Sequence, residues 1–313
     1  MERASPGPTV HVVGRGIVAQ RVRRMLDTRP VMLHDARWGV VSGVTPGDVA
    51  ILAQGGPHSE MAVALLHRSV HVVTVGDTVD DARRLLATDD TAGMSLVVGS
   101  ALSPGLSGLI ARHLATQLAS IDEIHVAIHG TAGPSCARGH HRSLGGLAAG
   151  WHDGEWRDHV GGSGRELCWF PEPIGAKDCY RARMAGPIML HHTFPEADRI
   201  TARRSARRRD RFTAWLPMLR PPHPEGGTGG LRVEIRGVDA DGGRQCLIAG
   251  VAELVGTASA ATAAAFVSAI LDDRLPAGLV VPGAHHLDTR GLLDRVQRYG
   301  VRLQEFTGVP QTG

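Results

Sequence analysis

Apolar and polar positions alternate with two different periods along the chain, and the first third shows both in turn. Short runs rich in β-branched residues predict strands at 9–13, 31–34, 49–53, 70–75 and 95–98. Stretches of helical period predict helices at 17–26, 59–67, 79–87 and 105–118. Mostly apolar strands that alternate with helices are typical of a parallel sheet covered on both faces. The pattern therefore predicts an α/β domain built on such a sheet.

After about residue 122 the pattern changes to extended segments joined by turns rich in glycine and proline. Strands are predicted at 124–129, 166–170, 179–184, 199–205, 231–238 and 244–254. The stretch 239–243 predicts a tight hairpin, because Asp and Gly tolerate the positive φ that such a turn needs. We therefore predict a second, mostly antiparallel domain. Helical period returns at 258–271 and 289–299, with short extended segments at 279–281 and 301–306.

Composition excludes several classes of protein. With 313 residues, 42% of them hydrophobic, the chain can bury the cores of about two domains. No window of about 18 residues is uninterruptedly apolar, and the first residues lack the apolar core of a signal peptide. We therefore expect a cytoplasmic protein that does not contact a membrane. The four cysteines form no CxxC pair and lie at no ligand spacing, so we expect neither a disulfide scaffold nor a metal site.

Charge gives little evidence for a polyanionic partner. The formal net charge is +3, from 34 basic and 31 acidic residues that are mixed along the chain. The segment from Arg203 to Arg211 is more basic, but no aromatic residue lies between its arginines. We interpret it as a solvated strand and turn and expect no nucleic-acid partner. An antiparallel second domain can expose a sheet face to another copy of the chain, so we expect a homodimer.

A glycine-rich turn follows the first predicted strand. Residues 14–19 (Gly-Arg-Gly-Ile-Val-Ala) fit the G-x-G-x-x-G/A pattern between a strand and a helix. Gly14 permits the tight turn, and Gly16 lets the backbone approach a pyrophosphate held by the N–H groups of the helix. Asp35 ends the next predicted strand about 20 residues later, where a carboxylate can accept hydrogen bonds from ribose hydroxyls. We predict a dinucleotide site. The alternative is a glycine turn in a cofactor-free α/β domain.

The residues around this turn do not separate NAD from NADP. A carboxylate at Asp35 favours an unphosphorylated ribose, whereas Arg37 or Arg15 can pair with a 2′-phosphate. Asp35 can also simply cap the following turn. We therefore expect NAD or NADP as the cofactor.

Two further strand ends carry residues suited to a ligand. The turn 54–56 (Gln-Gly-Gly) follows the third predicted strand, and its small residues let the backbone pass beneath a ribose and nicotinamide. Gly76 and Asp77 end the next strand. Asp77 can orient a substrate amine, or it can cap the helix that begins near Val79.

The stretch 99–109 (Gly-Ser-Ala-Leu-Ser-Pro-Gly-Leu-Ser-Gly-Leu) is the most distinctive in the chain. It resembles the P-G-L-[ST]-N-L segment of the saccharopine dehydrogenase family, with Gly108 where asparagine is usual. The glycine turn, Asp77 and the Ala-rich stretch that leads to 276–282 also resemble that family. So does the middle of the chain, at 147–154, Trp156 and 170–175. A short crossover after Asp35 departs from it.

The resemblance implies a Rossmann domain at 1–122, an inserted, mostly antiparallel α+β domain for substrate and dimer contacts at 123–256, and C-terminal elements at 257–313 that return to the Rossmann domain. It also implies an NAD(P)-dependent oxidoreductase that acts on a C–N bond of an amino-acid- or amine-derived small metabolite. Two alternatives stay open: an enzyme that uses tightly bound NAD(P) for a net non-redox reaction such as aminoalkyl transfer or cyclisation, and a non-catalytic nucleotide-binding partner protein. The expected cofactor contacts are Gly14, Arg15, Gly16, Ile17, Val18, Asp35, Ala36, Arg37, Gln54, Gly55, Gly56, Gly76, Ala101 and Pro104.

The polar stretch 130–143 follows the first strand of the second domain and is expected to face the parallel sheet. His140 or His141 can donate or accept a proton near neutral pH, and Arg138 or Arg142 can hold a substrate carboxylate. With 17 histidines in the chain, the alternative is that any one of them is an ordinary surface residue. The residues expected to contact the substrate are Asp77, Arg138, His140 and Arg142.

Lys177 is the only lysine of the chain, and Tyr180, one of two tyrosines, lies three residues on. A buried lysine can be neutral near neutral pH and act as a base or form an imine with a carbonyl. The alternative is a hairpin turn with a solvated lysine. The predicted catalytic residues are therefore His141, Lys177 and Tyr180.

Overall fold

A computed structural model describes residues 7–34, 43–76, 78–218 and 221–306. Six strands form a parallel sheet: β1 (Val10–Val13), β2 (Val31–His34), β3 (Val49–Leu52), β4 (His71–Thr74), β5 (Ser95–Val97) and β14 (Gly278–Val280). Their order across the sheet is β14-β5-β4-β3-β1-β2. Every neighbouring pair is parallel. Since β14 pairs with β5, the C-terminal part of the chain returns to the sheet that begins it.

Helices connect these strands and cover the sheet. They are α1 (Ile17–Met25), α2 (Ser59–Leu66), α3 (Val79–Leu86), α4 (Leu106–Ala115), α8 (Val255–Leu271) and α9 (Thr289–Arg298). The alanines of α8 leave it almost wholly buried, in contact with α1, β3 and β4. Because alanine adds so little bulk, this helix can approach both another helix and the strands closely.

The second sheet has nine strands: β6 (Ser120–His129), β7 (Leu147–His152), β8 (Glu155–Val160), β9 (Glu166–Phe170), β10 (Gly175–Arg181), β11 (Arg199–Ser205), β12 (Thr228–Val238), β13 (Arg244–Leu254) and β15 (Gln304–Phe306). The order is β15-β13-β12-β6-β11-β10-β9, and the β7-β8 hairpin joins at β11. Only the pair β6-β11 is parallel among these described strands. The predicted fold class, a Rossmann-type sheet with an inserted, mostly antiparallel domain, is confirmed.

Five elements of the second domain were not predicted from the sequence: the strands β7 and β8, which form a hairpin, and the helices α5 (Pro134–Ser143), α6 (Gly186–Thr193) and α7 (Arg208–Phe212). Helix α5 lacks an apolar stripe, because only Ala137 and His140 are buried. The sequence did contain a signal for the hairpin, because an Asp-Gly pair favours a tight turn with positive φ. Asp153 and Gly154 have φ values of 51° and 85°. At the other end of the chain, β15 pairs with β13, so the last described residues join the second sheet rather than the Rossmann domain.

The Gly108 position has a steric explanation. Helix α4 packs on the second sheet, in contact with β6, β12 and β13. A Cβ on Gly108 would overlap the carbonyl group of Pro282, and a Cβ on Gly283 would lie 2.5 Å from the carbonyl oxygen of Gly108. The two backbones therefore approach too closely for the asparagine that is usual in the family's segment.

A buried polar cluster joins the amino-terminal ends of β1 and β3. The Asp48 carboxylate, 3% exposed, accepts hydrogen bonds from the backbone N–H of Thr9 at 2.8 Å and of Thr45 at 2.7 Å. It also pairs with Nε2 of the fully buried His11 at 3.0 Å. Burial would raise the pKa of the Asp48 carboxyl, but the hydrogen bonds from Thr45, Thr9 and His11 outweigh burial and lower it.

We expect Asp48→Asn to lower the free energy of unfolding by about 2 kcal/mol near neutral pH, because an amide offers only one acceptor oxygen to these donors. Since the folded carboxyl has the lowered pKa, its stabilisation is fully present above the pKa of an unfolded aspartate, about 3.9, and is lost as pH falls through the folded value. Urea unfolding of parent and variant should therefore converge in acid. Asp294→Asn, at an exposed position, is the control. If the parent and the variant differed in free energy of unfolding as much in acid as at neutral pH, this explanation would be contradicted.

Candidate functional site

Two connected cavities lie at the carboxyl ends of the parallel strands, which is where open α/β sheets bind ligands. The first chamber, about 280 Å³, is bounded by Gly16–Val18 of the α1 turn, by residues 53–56 after β3, by Val75 and Gly76 after β4, and by residues 132–136 at the start of α5. The second chamber, also about 280 Å³, lies beside it. The residues that line both chambers are Thr78, Ser103, Gly139, His140, Arg142 and Arg204.

The glycine turn places the amino-terminal end of α1 in the first chamber. Gly14 has a φ of 126°, and a Cβ there would lie 2.8–2.9 Å from backbone atoms of Ala53 and Gln54. Gly16, the N-cap of α1, is extended and faces open space. The first turn of α1 contains no acidic residue, so its unsatisfied N–H groups and positive dipole end can bind an anion.

The turn after β3 is held in place by a carboxylate from α3. Asp81 accepts hydrogen bonds from the backbone N–H of His58 at 2.8 Å and of Ser59 at 3.0 Å, and it is buried. The His58 ring in turn donates from Nε2 to the carbonyl of Gln54 at 3.0 Å. The side-chain oxygen Oε1 of Gln54 is buried and has no hydrogen-bond partner in the part of the chain that the structure describes. A ligand in the first chamber can supply the missing donor.

A histidine and an arginine form the floor between the two chambers. Arg204 and His140 are 6% and 9% exposed, and Nη2 of Arg204 donates to Nε2 of His140 at 2.8 Å. Sγ of Cys136 lies 3.2 Å from the same nitrogen. Burial, reinforced by the Arg204 charge, holds the pKa of His140 well below its usual range, so the ring is neutral near neutral pH. A neutral ring that already accepts from Arg204 serves to position the guanidinium at the floor.

The second chamber carries more positive than negative charge. Its arginines are Arg142, Arg183 and Arg204, and Asp80 is the only carboxylate among its described lining residues. Arg183 pairs with Asp80 at 2.7 Å. Arg142 is exposed and makes no ion pair with any described residue. The chamber therefore offers a cation to an incoming ligand at Arg142.

The structure brings together most of the predicted cofactor contacts. The predicted residues that line the first chamber are Gly16, Ile17, Val18, Gln54, Gly55, Gly56, Gly76 and Ala101. Gly14 lies behind the turn, Arg15 is exposed at its edge, and Pro104 is buried against Gly99. Asp35, Ala36, Arg37 and Asp77 lie outside the described residues.

Of the predicted substrate and catalytic residues that the structure describes, only His140 and Arg142 line the chambers. His141 is turned away, and its Nε2 donates to the carbonyls of Thr213 at 2.8 Å and Leu216 at 3.2 Å. Arg138 is exposed on α5 and lines neither chamber.

Lys177 and Tyr180 lie on β10, in a strand rather than in a hairpin turn. In the strand register Tyr180 pairs with Arg204, so the two side chains share a face, and Lys177 points to the opposite face. Tyr180 is fully buried without lining either chamber, and the guanidinium of Arg211 lies 5.2 Å from its ring centre. Neither residue reaches a ligand in the chambers as the structure stands.

Arg204 was not predicted as a site residue, because it lies in a basic segment that we interpreted as a solvated strand and turn. A period-2 pattern was available as a signal: Ile200, Ala202 and Arg204 are all buried on one face of β11. Cys136 and Ser103 were also missed, since a single polar residue in a glycine-rich segment has no distinctive spacing.

Within the described ranges no group of three histidine, cysteine or acidic side chains is placed to hold a metal ion. The helices of the same ranges include none that has both the length and the apolar character to cross a membrane.

Comparison with solved structures shows the fold. The chain is similar to the apo form of saccharopine dehydrogenase (L-Glu forming) from Saccharomyces cerevisiae, with a TM-score of 0.66, 14% identity, and coverage of 96% of this chain and 100% of that one. A weaker likeness is to DAP dehydrogenase of C. glutamicum in complex with DAP, with a TM-score of 0.49, 15% identity, and coverage of 94% and 99%. No family model and no curated protein sequence matches the chain. From the first likeness, the chain has a saccharopine dehydrogenase-like fold, as its sequence motifs predicted.

The two glycines of the α1 turn should respond differently to a methyl group. We expect Gly14→Ala to lower the free energy of unfolding by about 2 kcal/mol or more, because its Cβ meets the backbone of residues 53–54 at a positive φ. Gly16→Ala should change it by less than about 1 kcal/mol, since its Cβ enters open space. Denaturant titration of both variants measures the difference. Equal stability of the two would show that the close approach at Gly14 does not matter.

Proposed function

We propose that this protein is an NAD(P)-dependent oxidoreductase that acts on a C–N bond of an amino-acid- or amine-derived small metabolite. The observation that carries the proposal is the first chamber, whose lining combines the start of α1 with Gln54, and which continues into a cationic second chamber. Oε1 of Gln54 is buried and lacks a partner among the described residues. The saccharopine dehydrogenase-like fold supports the same reaction class by analogy.

The residues of the first chamber fit a dinucleotide. The N–H groups of α1 beyond Gly16 suit a diphosphate, and the absence of a Cβ at Gly16 and Gly56 leaves room beside both turns. Oε1 of Gln54 is an acceptor for a ribose hydroxyl or an amide N–H. When bound, the nicotinamide supplies or accepts the hydride. Asp35 and Arg37, the residues that would select between NAD and NADP, lie outside the described ranges.

The second chamber is suited to the substrate. Arg142 can donate charge-assisted hydrogen bonds to a carboxylate, and it lines both chambers, so a substrate held there would lie beside the cofactor. His140 holds Arg204 at the floor of the chamber. There the positive charge of Arg204 attracts the same anionic group of a ligand that Arg142 binds. These residues bind and orient the substrate, which is what hydride transfer requires of the protein.

Arg142 and Arg138 form a matched pair for testing this function, because they lie one turn apart on α5 and only Arg142 lines the chambers. In a screen of amino acids and amines with both coenzymes, we expect oxidation or reduction of the nicotinamide to be coupled to turnover. Arg142→Gln should raise KM for the substrate roughly ten- to a hundredfold, as expected for one lost charged hydrogen bond, with coenzyme affinity unchanged.

The control Arg138→Gln should behave as the parent does. Equal effects of the two substitutions would contradict the assignment of the second chamber to the substrate. Coenzyme binding without turnover on any substrate would favour the non-catalytic alternative, and turnover without net change in the coenzyme would favour the non-redox one.

A further inference from the structure

The second chamber has a buried floor and an exposed rim. His140 and Arg204 form the floor, whereas Asp80 and Arg183 lie at the rim with side chains that are 60% and 47% exposed. Nη2 of Arg183 donates to both carboxylate oxygens of Asp80, at 2.7 and 2.9 Å. We propose that Asp80 and Arg183 form a side-chain gate that narrows the mouth of the second chamber and selects among the ligands that enter it. The proposal rests on the proposed function only in taking this chamber as the substrate compartment.

The gate joins the two domains across the chamber. Asp80 lies in the first turn of α3, in the Rossmann domain, and Arg183 lies between β10 and α6, in the second domain. The two residues are 103 positions apart in the sequence. The ion pair therefore spans the opening between the domains.

Both backbones beneath the gate are held in place. The N–H of Arg183 donates to the carbonyl of Ser143 at 2.9 Å, and Ala185, two residues on, is fully buried in a core cluster with strands of the parallel sheet. Asp80 lies between two buried residues of α3, Val79 and Asp81. Opening the gate therefore needs only rotation of the two side chains.

The path of the Arg183 side chain supports this motion. It crosses Gly146, where a Cβ would lie 3.2 Å from Cδ and 3.3 Å from Cβ of Arg183. The absence of a side chain at Gly146 gives the arginine room to lie over the chamber. An exposed ion pair of this kind contributes little free energy, so it can open readily.

The charges of the pair also select among ligands. Asp80 and Arg183 neutralise each other, so a neutral molecule gains nothing by separating them. A small carboxylate can take the place of Asp80 at Arg183 and keep its charge-assisted hydrogen bonds, with Arg142 as a second cation in the same chamber. The gate therefore favours entry of small anions.

A thiol placed inside the chamber can report on the gate without any substrate. Ser143 lines the second chamber and is half-buried, so Ser143→Cys provides the reporter in a background with Cys136→Ser and Cys246→Ser. Cys168 and Cys179 stay because they are buried. The rate of alkylation by iodoacetamide, followed by mass spectrometry of the full chain, measures access to the chamber.

We expect Asp80→Asn and Arg183→Gln each to speed alkylation about two- to fivefold, the range that an exposed ion pair supports. The double variant should be no faster than the faster single variant, because both substitutions break one interaction. Raising salt to about 1 M, where screening acts over about 3 Å, should speed the reporter protein and leave the double variant unchanged. This salt measurement needs no substitution at the gate, so it holds even if a gate variant folds poorly.

The control is Arg157→Gln, which breaks a similarly exposed pair with Glu155 on β8 and should leave the rate unchanged. If Asp80→Asn and Arg183→Gln changed the alkylation rate in opposite directions, the two charges would be acting on the reactivity of the thiol and not on access to it. That result would overturn the gate. Equal rates in all proteins would do the same. Titration of the same proteins with NADH and NADPH separates the two proposals: unchanged coenzyme binding with unchanged alkylation overturns the gate alone, whereas no coenzyme binding overturns the proposed function.

Discussion

Two backbone segments approach each other closely at the end of β1, and this contact organises the whole site. Gly14 turns against Ala53 and Gln54, at the end of β3, and only a residue without a Cβ can do so. This contact sets the start of α1 beside the turn after β3, so that both segments line one cavity. Asp81 then fixes that turn from α3. The chamber is thus built from backbone geometry, with few charged groups.

The second domain supplies what this geometry lacks, which is charge. Arg142 comes from α5 and Arg204 from β11, and both line the first chamber together with the start of α1. The neutral His140 accepts a hydrogen bond from Arg204 and so adds no charge of its own. The fold explains why the two domains have different roles. The parallel sheet presents strand ends to a dinucleotide, and the inserted domain presents cations to a second ligand.

Sequence reasoning predicted the parts of this structure that depend on local chemistry. The glycine turn, the turn at Gln54 and the strand periodicity of the first domain each leave a pattern within a few residues. The order of strands in the second sheet, by contrast, depends on contacts between distant segments, such as the parallel pair β6-β11. For the same reason Arg204, Asp81 and Arg183 escaped prediction, since their roles appear only where segments meet. His141, Lys177 and Tyr180 were chosen for their chemistry, and the fold places none of them at the chambers.

Hydrogen exchange of the full chain, measured with and without NADH or NADPH, tests whether the α1 turn and the turn after β3 bind a coenzyme. We expect one of the two coenzymes to protect the backbone amides at 14–18 and 54–56, and Gly16→Ala to reduce this protection without loss of fold. Protection confined to other segments, or no protection by either coenzyme in well-folded protein, would contradict this expectation.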